Sequence, residues 1–505
     1  MRIAERCGWA RRSHPRSRST VAQRHHLGGR VRNPLRRYLA IALLVSLYTS
    51  CSDRPTEPEA APAVAPRFAP TTATADPVGP RLHAILHRQF PQSIPTGEDG
   101  SVIAWDLEAA DYGDLHTTGS GTVTLGSGHW LLIAVITFEA DPNESQGSRH
   151  VGITCDGVTG HASSSIENGV DNQTVTLTLV NTVGGDSDNC TVGVNHTAPV
   201  PINVSNLYSS FSVVQLGPEP YAHLFKSCTG SPCLSQQSVL NNTTTAVTWN
   251  AGTDPWNLHS PGGPTVTLGS GIWLLSPLVN WSANSSGIRE ARISEDGTEV
   301  GRWFSSLQSA ATYQSTGSPL VRVVPAGVNR NYEVRGFQTS GANLNILGSL
   351  CSGLCIRWSR FTLAQLSDAP HVMLRRSSDQ PFPNNTQSTV PWDVEDADSG
   401  SLHDPGSPVV TLGSGVWLLI ANVTWQARSS GARWIGVIGS HGSGNTFSSI
   451  QSGLSDETLT VPLVIVVPAG ETASYDVQAV QNSGSTVNVR GGFSSSFIAV
   501  QLATL

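Results

Sequence analysis

An aspartate that stands five residues before a histidine recurs three times, in the stretches DYGDLH, DPWNLH and DSGSLH. Carboxylate and imidazole are suitable ligands for zinc and other transition metals, so the pattern could mark a ligand or metal site. A loop whose aspartate caps backbone amides, and whose histidine packs on a neighbouring strand, would also repeat with the fold. We favour the loop and keep the site as a candidate. The residues are Asp111, His116, Asp254, His259, Asp398 and His403.

Two pairs of carboxylates near these stretches could in principle serve glycoside hydrolysis: Glu108 with Asp111, and Glu395 with Asp396. They lie in polar segments, where solvated side chains are expected. No nucleophile elbow, zinc-protease, phosphate-loop or dinucleotide-binding motif stands in a fitting context. The sequence therefore predicts a protein that is not an enzyme and holds no cofactor.

The start of the chain is typical of an exported protein. Eleven of the arginines and a single acid, Glu5, fall in residues 1–50, so the remainder is acidic within a net charge of −7. An acidic body argues against nucleic acid as a partner. The apolar run 38–47 suits a secretory signal and is too short for a membrane helix. Residues 49–51 resemble a bacterial lipobox, which would lipidate Cys51, while simple secretion stays open.

The segments before the folded body have separate roles. We assign residues 1–51 to the signal and lipobox region. Because the stretch before the apolar run is long, we favour a true start codon downstream, and a long n-region is the alternative. Residues 52–80 are rich in Pro, Ala and Thr, so we expect an extended tether. Contact with a membrane is expected through the lipid anchor alone. The protein is then an outer-membrane or cell-surface lipoprotein, or a secreted protein.

Six cysteines remain once Cys7 and Cys51 are set aside, and an even number in an exported chain predicts disulfides. Zinc is the rival interpretation, but neither Cys228 to Cys233 nor Cys351 to Cys355 has the common zinc-knuckle spacing. We prefer a Cys155–Cys190 pair, because both fall in the same repeat. The disulfide candidates are Cys155, Cys190, Cys228, Cys233, Cys351 and Cys355.

A repeat of roughly 140 residues, about the size of a domain, fills the rest of the chain. The stretch TVTLGSGHWLLIAVITF returns as TVTLGSGIWLLSPLVNW and as VVTLGSGVWLLIANVTW, around Trp130, Trp273 and Trp417. Each unit closes on Phe followed by Gln-Leu, and units two and three share a VVPAG turn that unit one lacks. The predicted domains are 81–217, 221–367 and 370–505.

The repeated stretch has the periodicity of a strand after a Gly-rich turn. Trp130, Leu132 and Ala134 share one face, which is apolar in all three copies and should meet the core. The other face, with Leu131 and Ile133, is more apolar than a solvent face needs, so a second contact surface is implied. Low charge (13%) and 49 glycines also favour strands over helices.

The repeated units resemble the C1q/TNF-like jelly-roll family. They share with it a Gly, one residue, an aromatic residue (here Trp) and alternating apolar residues, then the VPAG turn and a closing Ser-Phe strand. The resemblance implies an all-β chain of three tandem jelly-roll β-sandwich domains that works by binding. Members of the family usually trimerise, so short linkers and the apolar second face suggest a monomer that packs as an intramolecular pseudo-trimer. Separate, individually solvated domains are the alternative. Pro277 should mark a bulge or a local edge of its strand.

The expected function is non-catalytic binding or adhesion at the bacterial surface, with an unknown protein or glycan ligand. The alternatives are a glycan-active enzyme and a purely structural envelope protein. Four tryptophans that occur in one unit each are candidates for sugar stacking, or else core residues of their unit. They are Trp256, Trp303, Trp358 and Trp434.

Overall fold

The computed structural model describes residues 81–505 apart from 141–146, 157, 167–171, 228–235, 285, 307–313, 349–358, 367, 429–430 and 451–455. The predicted signal region, the lipobox cysteine and the tether therefore lie outside the described residues, as do Cys228, Cys233, Cys351, Cys355 and Trp358. No stretch of the described residues forms a helix with the length and apolarity needed to cross a membrane.

The described residues form strands in three successive sets, repeats 1, 2 and 3. Repeat 1 contains β1 His83–His87, β2 Gln92–Ile94, β3 Gly97–Val102, β4 Leu107–Tyr112, β5 Thr122–Phe138, β6 Gly147–Cys155, β7 Val158–Ile166, β8 Gln173–His196, β9 Ile202–Val204 and β10 Ser210–Leu216. Repeat 2 contains β11 Tyr221–Phe225, β12 Gln237–Val239, β13 Thr245–Ala246, β14 Ala251–Thr253, β15 Thr265–Leu268, β16 Gly271–Trp281, β17 Ile288–Glu295, β18 Thr298–Ser306, β19 Gln314–Thr316, β20 Leu320–Val324, β21 Arg330–Gln338, β22 Leu344–Ile346 and β23 Arg360–Leu366. Repeat 3 contains β24 His371–Arg376, β25 Gln380–Phe382, β26 Ser388–Thr389, β27 Val394–Asp398, β28 Val410–Leu412, β29 Gly415–Trp425, β30 Gly431–Gly439, β31 Gly442–Ile450, β32 Glu457–Val467, β33 Ala473–Gln481, β34 Val487–Val489 and β35 Gly492–Ala503.

Repeats 2 and 3 are each two antiparallel sheets with the same strand order. In repeat 2 one sheet runs β12-β22-β16-β23-β11-β14, with β19 and β20 also on β16, and the other runs β13-β21-β17-β18, with β15 on β21. In repeat 3 the order is β25-β34-β29-β35-β24-β27 with β32 on β29, facing β26-β33-β30-β31 with β28 on β33. The chain is therefore all-β and folds as tandem β-sandwich jelly rolls.

Repeat 1 joins its two sheets through two long strands, β5 and β8, which belong to both. Repeats 2 and 3 break the strand that corresponds to β8 at their Pro-Ala-Gly turns, whereas repeat 1 lacks that turn and continues without interruption. The predicted disulfide is present here: Cys155 and Cys190 are bonded with an S–S distance of 2.01 Å. It links the end of β6 to the middle of β8.

The Leu-Gly-Ser-Gly segment is where the chain passes from one sheet to the other. In repeat 2 it separates β15, on β21, from β16, on β23. In repeat 1 the predicted turn is instead a bulge within β5, with positive φ at Gly128. The indole of Trp130 donates to the Gly126 carbonyl at 2.8 Å, and Trp273 and Trp417 make the equivalent bonds. The recurring motif therefore stabilises the crossing between the sheets.

The two faces of the repeated strand separate as the period-two pattern predicts. Trp130, Leu132 and Ala134 lie in the core of repeat 1. Leu131 and Ile133 instead join an apolar cluster that contains the core of repeat 2 and side chains of repeat 3, such as Leu418. The second face is therefore the seam between repeats.

Each repeat contacts the other two. The Phe447 amide of repeat 3 donates to Thr174 Oγ1 of repeat 1 at 3.0 Å, and the Phe304 amide of repeat 2 donates to Thr458 Oγ1 of repeat 3 at 3.1 Å. Leu278 of repeat 2 packs in the core cluster of repeat 1. The three repeats thus close on one another, as the pseudo-trimer hypothesis expects.

Pro277 lies opposite a break in its neighbouring strand. On one side it pairs in register with Phe361 of β23. On the other side the neighbouring strand is divided into β19 and β20, and a side chain at Gly317 between them would collide with the Pro277 carbonyl. The missing amide of proline therefore falls at a local irregularity, as predicted.

Candidate functional site

The recurring aspartates cap the loops that contain them. Asp111 accepts hydrogen bonds from the amides of Leu115 and His116, both at 3.0 Å, and Asp254 and Asp398 make the equivalent bonds. Each capped histidine then forms a backbone bridge to the strand that follows. These aspartates therefore fix the conformation of a loop in every repeat.

The histidine rings of these loops are also engaged. His116 bonds to Glu108 through Nδ1 at 2.7 Å and to the Ser120 carbonyl through Nε2 at 3.1 Å. His403 makes the same two contacts with Glu395 and Ser407, and His259 bonds to the Gly263 carbonyl. The hydrogen bond from His116 lowers the pKa of Glu108. In the part of the chain that the structure describes, no group of three or more His, Cys, Asp or Glu residues could hold a metal ion.

The carboxylates considered for glycoside hydrolysis are committed to other partners. Glu108 and Glu395 bond to the histidines of their loops, Asp111 caps backbone amides, and Asp396 accepts from Arg375 at 3.0 Å. Each of these carboxylates thus has a partner within the protein, and a role for them in glycoside hydrolysis stays a hypothesis.

The three candidate tryptophans that the structure describes lie in different environments. Trp303 is buried at the seam, with its indole 3.4 Å from Asn422 Oδ1. Trp256 is exposed in the DPWNLH loop of repeat 2. Trp434 lies on the outer face of β30, because its neighbours Arg433 and Ile435 point into the sandwich and are buried. Trp303 lines a small pocket of about 120 Å³ at the seam, whereas Trp434 lines a larger, open groove.

That groove, of about 770 Å³, runs between the β26-β33-β30-β31 sheet of repeat 3 and the adjoining edge of repeat 1. Its volume falls in the range of small-molecule sites. Repeat 1 supplies Ala140, Asn172 and Tyr208. Repeat 3 supplies Asn385, Gln387, Ala432, Arg433, Trp434, Ile438, Asn445, Phe447, Gln478, Val480, Gln481 and Asn482.

Three aromatic rings form a row along the groove. Phe447 lies between the other two, with its ring centroid 6.4 Å from Trp434 and 4.7 Å from Tyr208. Trp434 depends on Gly436 for its position, because a Cβ at residue 436 would lie 2.7 Å from the indole ring and would also collide with Asn445. The row thus combines Trp434 and Phe447 of repeat 3, where Gly436 leaves space for the indole, with Tyr208 of repeat 1.

Side-chain amides supply most of the polar groups of the groove. Asn172 Oδ1 accepts from the Ala140 amide at 2.9 Å, and Asn482 Oδ1 accepts from the Ala432 amide at 2.5 Å, which leaves each amide nitrogen as a donor. Gln387 donates to Gln478. Asn445 Oδ1 is buried without a hydrogen-bond partner. The groove therefore presents both donors and acceptors.

The groove walls carry little charge. Among the described residues, Arg433 is the one charged residue that lines them, and its guanidinium lies beneath the sheet, 5.9 Å from the Trp425 ring. Burial lowers the pKa of Arg433, against the raising effect of Glu457. No carboxylate is found among the described residues that line the groove. Its chemistry suits a neutral ligand that has both apolar faces and hydroxyl or amide groups.

The corresponding sheet of repeat 2 is filled by ion pairs. By strand register, Glu290 stands at the position of Trp434, Arg292 at that of Gly436, and Arg302 at that of Asn445. Arg292 bonds to Glu290 at 2.5 Å and stacks on the Phe337 ring at 4.9 Å, while Arg302 Nε lies 2.9 Å from Glu299. The same scaffold therefore carries an open groove in repeat 3 and a closed, charged surface in repeat 2.

A Ser–His–Glu contact in repeat 3 was not indicated by the sequence. His441 bonds to Glu471 at 2.7 Å through Nε2 and to Ser440 at 3.0 Å through Nδ1. Ser440 and His441 lie in the turn between β30 and β31, Glu471 lies in the turn between β32 and β33, and Ser440 and Glu471 are both exposed. A catalytic triad works in a site that excludes water, so we assign no catalysis to this contact.

The groove could not have been found from local sequence, because Tyr208 and Trp434 are far apart along the chain. The available signal was the comparison of repeats, which marks Trp434 as an aromatic residue where repeat 2 has glutamate. Tyr208, Phe447 and the amides gave no such signal. They belong to the site because repeats 1 and 3 pack together.

No family model and no curated protein sequence matches the chain. Among solved structures, the CBM22-1–CBM22-2 tandem domain of Paenibacillus barcinonensis Xyn10C aligns at 10% identity and a TM-score of 0.18, covering 57% of this chain and 98% of that one. A Paenibacillus xanthan lyase aligns at 13% identity and 0.18, covering 60% of this chain and 30% of the lyase. Dimeric latent PorU of Porphyromonas gingivalis aligns at 12% identity and a TM-score of 0.19, covering 75% of this chain and 32% of PorU. The chain thus spans about a third of the latter two, and we base no functional argument on these alignments.

Proposed function

We propose that the protein binds a neutral carbohydrate chain, without catalysis, in the groove between repeats 1 and 3. The observation that carries the proposal is the aromatic row of Trp434, Phe447 and Tyr208, bordered by side-chain amides. The C–H faces of sugar rings pack on aromatic rings, and sugar hydroxyls pair with amide donors and acceptors. The scarcity of charge in the groove favours neutral over acidic sugars.

The wider setting of this proposal comes from the sequence. We propose that the protein is exported and acts at the bacterial surface as a lipoprotein or a secreted protein, and that its repeats belong to the C1q/TNF-like family. A glycan-active enzyme and a structural envelope protein remain the alternatives. Release of reducing ends from a bound polysaccharide would favour the enzyme.

Isothermal titration tests the proposal with cellohexaose, xylohexaose and mannohexaose as neutral probes and hexagalacturonic acid as the charged one. We expect at least one neutral probe to bind more tightly than the acidic one. Trp434→Ala should weaken that binding by roughly ten- to a hundredfold, because a stacked indole contributes about 1.5–3 kcal/mol of buried apolar contact.

Trp256→Ala is the matched control, because Trp256 is an exposed tryptophan of repeat 2 outside the groove. Its affinity should equal that of the unmodified protein. Binding of none of the neutral probes, or equal affinities for the Trp434 and Trp256 variants, would refute the assignment of the groove.

A further inference from the structure

Phe447 has two roles that meet in one residue. Its ring is the middle member of the aromatic row, 4.7 Å from Tyr208 of repeat 1. Its backbone amide donates to Thr174 Oγ1, also of repeat 1, at 3.0 Å. The position of a groove residue in repeat 3 is therefore held by a hydroxyl group of another repeat.

The chain connects repeats 1 and 3 only through repeat 2, so their mutual contact is non-covalent. Repeat 1 nevertheless supplies Ala140, Asn172 and Tyr208 to the groove. If the two repeats separate, the groove loses one wall and one end of its aromatic row. A ligand that touches both walls therefore binds the closed arrangement better than an open one, which is the requirement for coupling.

The seam between repeats 2 and 3 contains the same hydrogen bond without the groove. There the Phe304 amide donates to Thr458 Oγ1 at 3.1 Å. Thr174 and Thr458 each also bond to a threonine of their own repeat at 2.7 Å, Thr137 and Thr424 respectively. The two hydroxyls thus have matching partners, and the chain offers an internal control for a groove-specific effect.

The residue at the position of Tyr208 also differs between the two seams. Thr137 donates to the Tyr208 carbonyl at 3.2 Å, and Thr424 donates to the Ser494 carbonyl at 2.6 Å, so Ser494 stands where repeat 1 has Tyr208. Serine offers no stacking surface. The seam between repeats 2 and 3 therefore has the positioning bond but no aromatic row across it.

We propose that ligand binding in the groove is coupled to the docking of repeat 1 on repeat 3, with Thr174 as the positioning residue that sets Phe447 for the ligand. This inference rests on the proposed function. Coupling is reciprocal, so a ligand that favours the closed seam must also be bound more tightly when the seam is closed. Occupation of the groove then stabilises the arrangement of the three repeats.

The test compares Thr174→Val and Thr458→Val in the full chain, with Thr174→Ser as the variant that retains the hydroxyl. Affinity is measured for whichever of cellohexaose, xylohexaose and mannohexaose binds the unmodified protein most tightly. Thr174→Val should weaken binding by about three- to tenfold, the value of one hydrogen bond. Thr458→Val and Thr174→Ser should bind as the unmodified protein does. Urea midpoints should fall similarly for both valine variants.

Hydrogen exchange gives a second measurement that a purely structural role would not change. Saturation with the hexasaccharide should slow exchange of the Phe447 amide at least several-fold and leave the Phe304 amide unchanged, because only the first reports the seam that the ligand spans.

The outcomes separate this inference from the proposed function. Equal affinities for the two valine variants, with no ligand effect on Phe447 exchange, overturn the coupling, while weaker binding by Trp434→Ala still supports the groove. If none of the hexasaccharides binds, the proposed function and the coupling both fail. Weaker binding by both valine variants would mean a general loss of structure, and would also overturn the groove-specific role of Thr174.

Discussion

Replacing Asn422 with leucine should destabilise the protein by about 2 kcal/mol through the seam between repeats 2 and 3. Asn422 is 4% exposed. Its Oδ1 accepts hydrogen bonds from Ser318 Oγ of repeat 2 at 2.9 Å and from Thr460 Oγ1 of repeat 3 at 2.7 Å. The Trp303 indole is a longer third donor at 3.4 Å. Asn422 is thus a polar node in a largely apolar seam.

The magnitude follows from the two short bonds and from the shape of the site. Repeats 1 and 2 carry Val135 and Leu278 at the corresponding strand position, so a leucine of this size suits the local geometry. The change therefore adds little steric strain, and its cost is the loss of an acceptor for two buried hydroxyls. At about 1 kcal/mol for each bond, the sum is about 2 kcal/mol.

Urea unfolding of the Asn422→Leu, Ser318→Ala and double variants measures both the loss and its origin. We expect a coupling free energy of about 1 kcal/mol between Asn422 and Ser318, because the single variants each remove the same hydrogen bond. A leucine variant within about 0.5 kcal/mol of the unmodified protein, or additive single and double variants, would refute the role of Asn422 as a node between repeats.

Three further predictions concern the packing of the repeats, the disulfide and the buried Lys226. X-ray scattering of residues 81–505 should give a radius of gyration of about 22 Å, the value for one compact body, and a clearly larger value from an elongated particle would contradict the closed packing. Replacing Cys155 and Cys190 with alanine should cost about 4 kcal/mol by loop entropy over their separation of 35 residues, seen as a lower urea midpoint, and an unchanged midpoint would contradict it. Burial lowers the pKa of Lys226 from 10.5 to about 8, so between these pH values the unfolded chain retains a proton that the folded chain releases. The stability of the protein relative to Lys226→Met should therefore rise with pH across that interval in thermal melts, and a constant difference would count against it.

The sequence predicted the strand faces and the seam well, because a period of two is a local property that three copies repeat. The alternation around Trp130 assigned one face to the core, and the apolar residues Leu131 and Ile133 on the other face indicated the seam. The Cys155–Cys190 pair followed from placing both residues in one repeat. These predictions needed only the neighbours along a strand and the boundaries of the repeat.

Features that depend on tertiary packing escaped the same reasoning. The continuous strand β5 of repeat 1 was expected to be interrupted at its Leu-Gly-Ser-Gly segment, since a Gly-rich segment alone does not distinguish a turn from a bulge. The groove needed Tyr208 beside Phe447, and no local pattern brings those two residues together. The Asp–His loops showed the converse: a threefold pattern that suggested chemistry is explained by backbone capping.

Divergence at a few scaffold positions distinguishes the groove of repeat 3 from the same sheet face of repeat 2. There, repeat 2 stacks Arg292 on Phe337 and pairs it with Glu290, so its surface groups satisfy one another. Repeat 3 has Gly436 at the position of Arg292, which leaves space for the ring of Trp434 and the side-chain amide of Asn445. The shared apolar seam then supplies what a single repeat lacks, a second wall with Tyr208. The proposed binding site therefore follows from the way the copies pack, whereas the motif that they share maintains the fold.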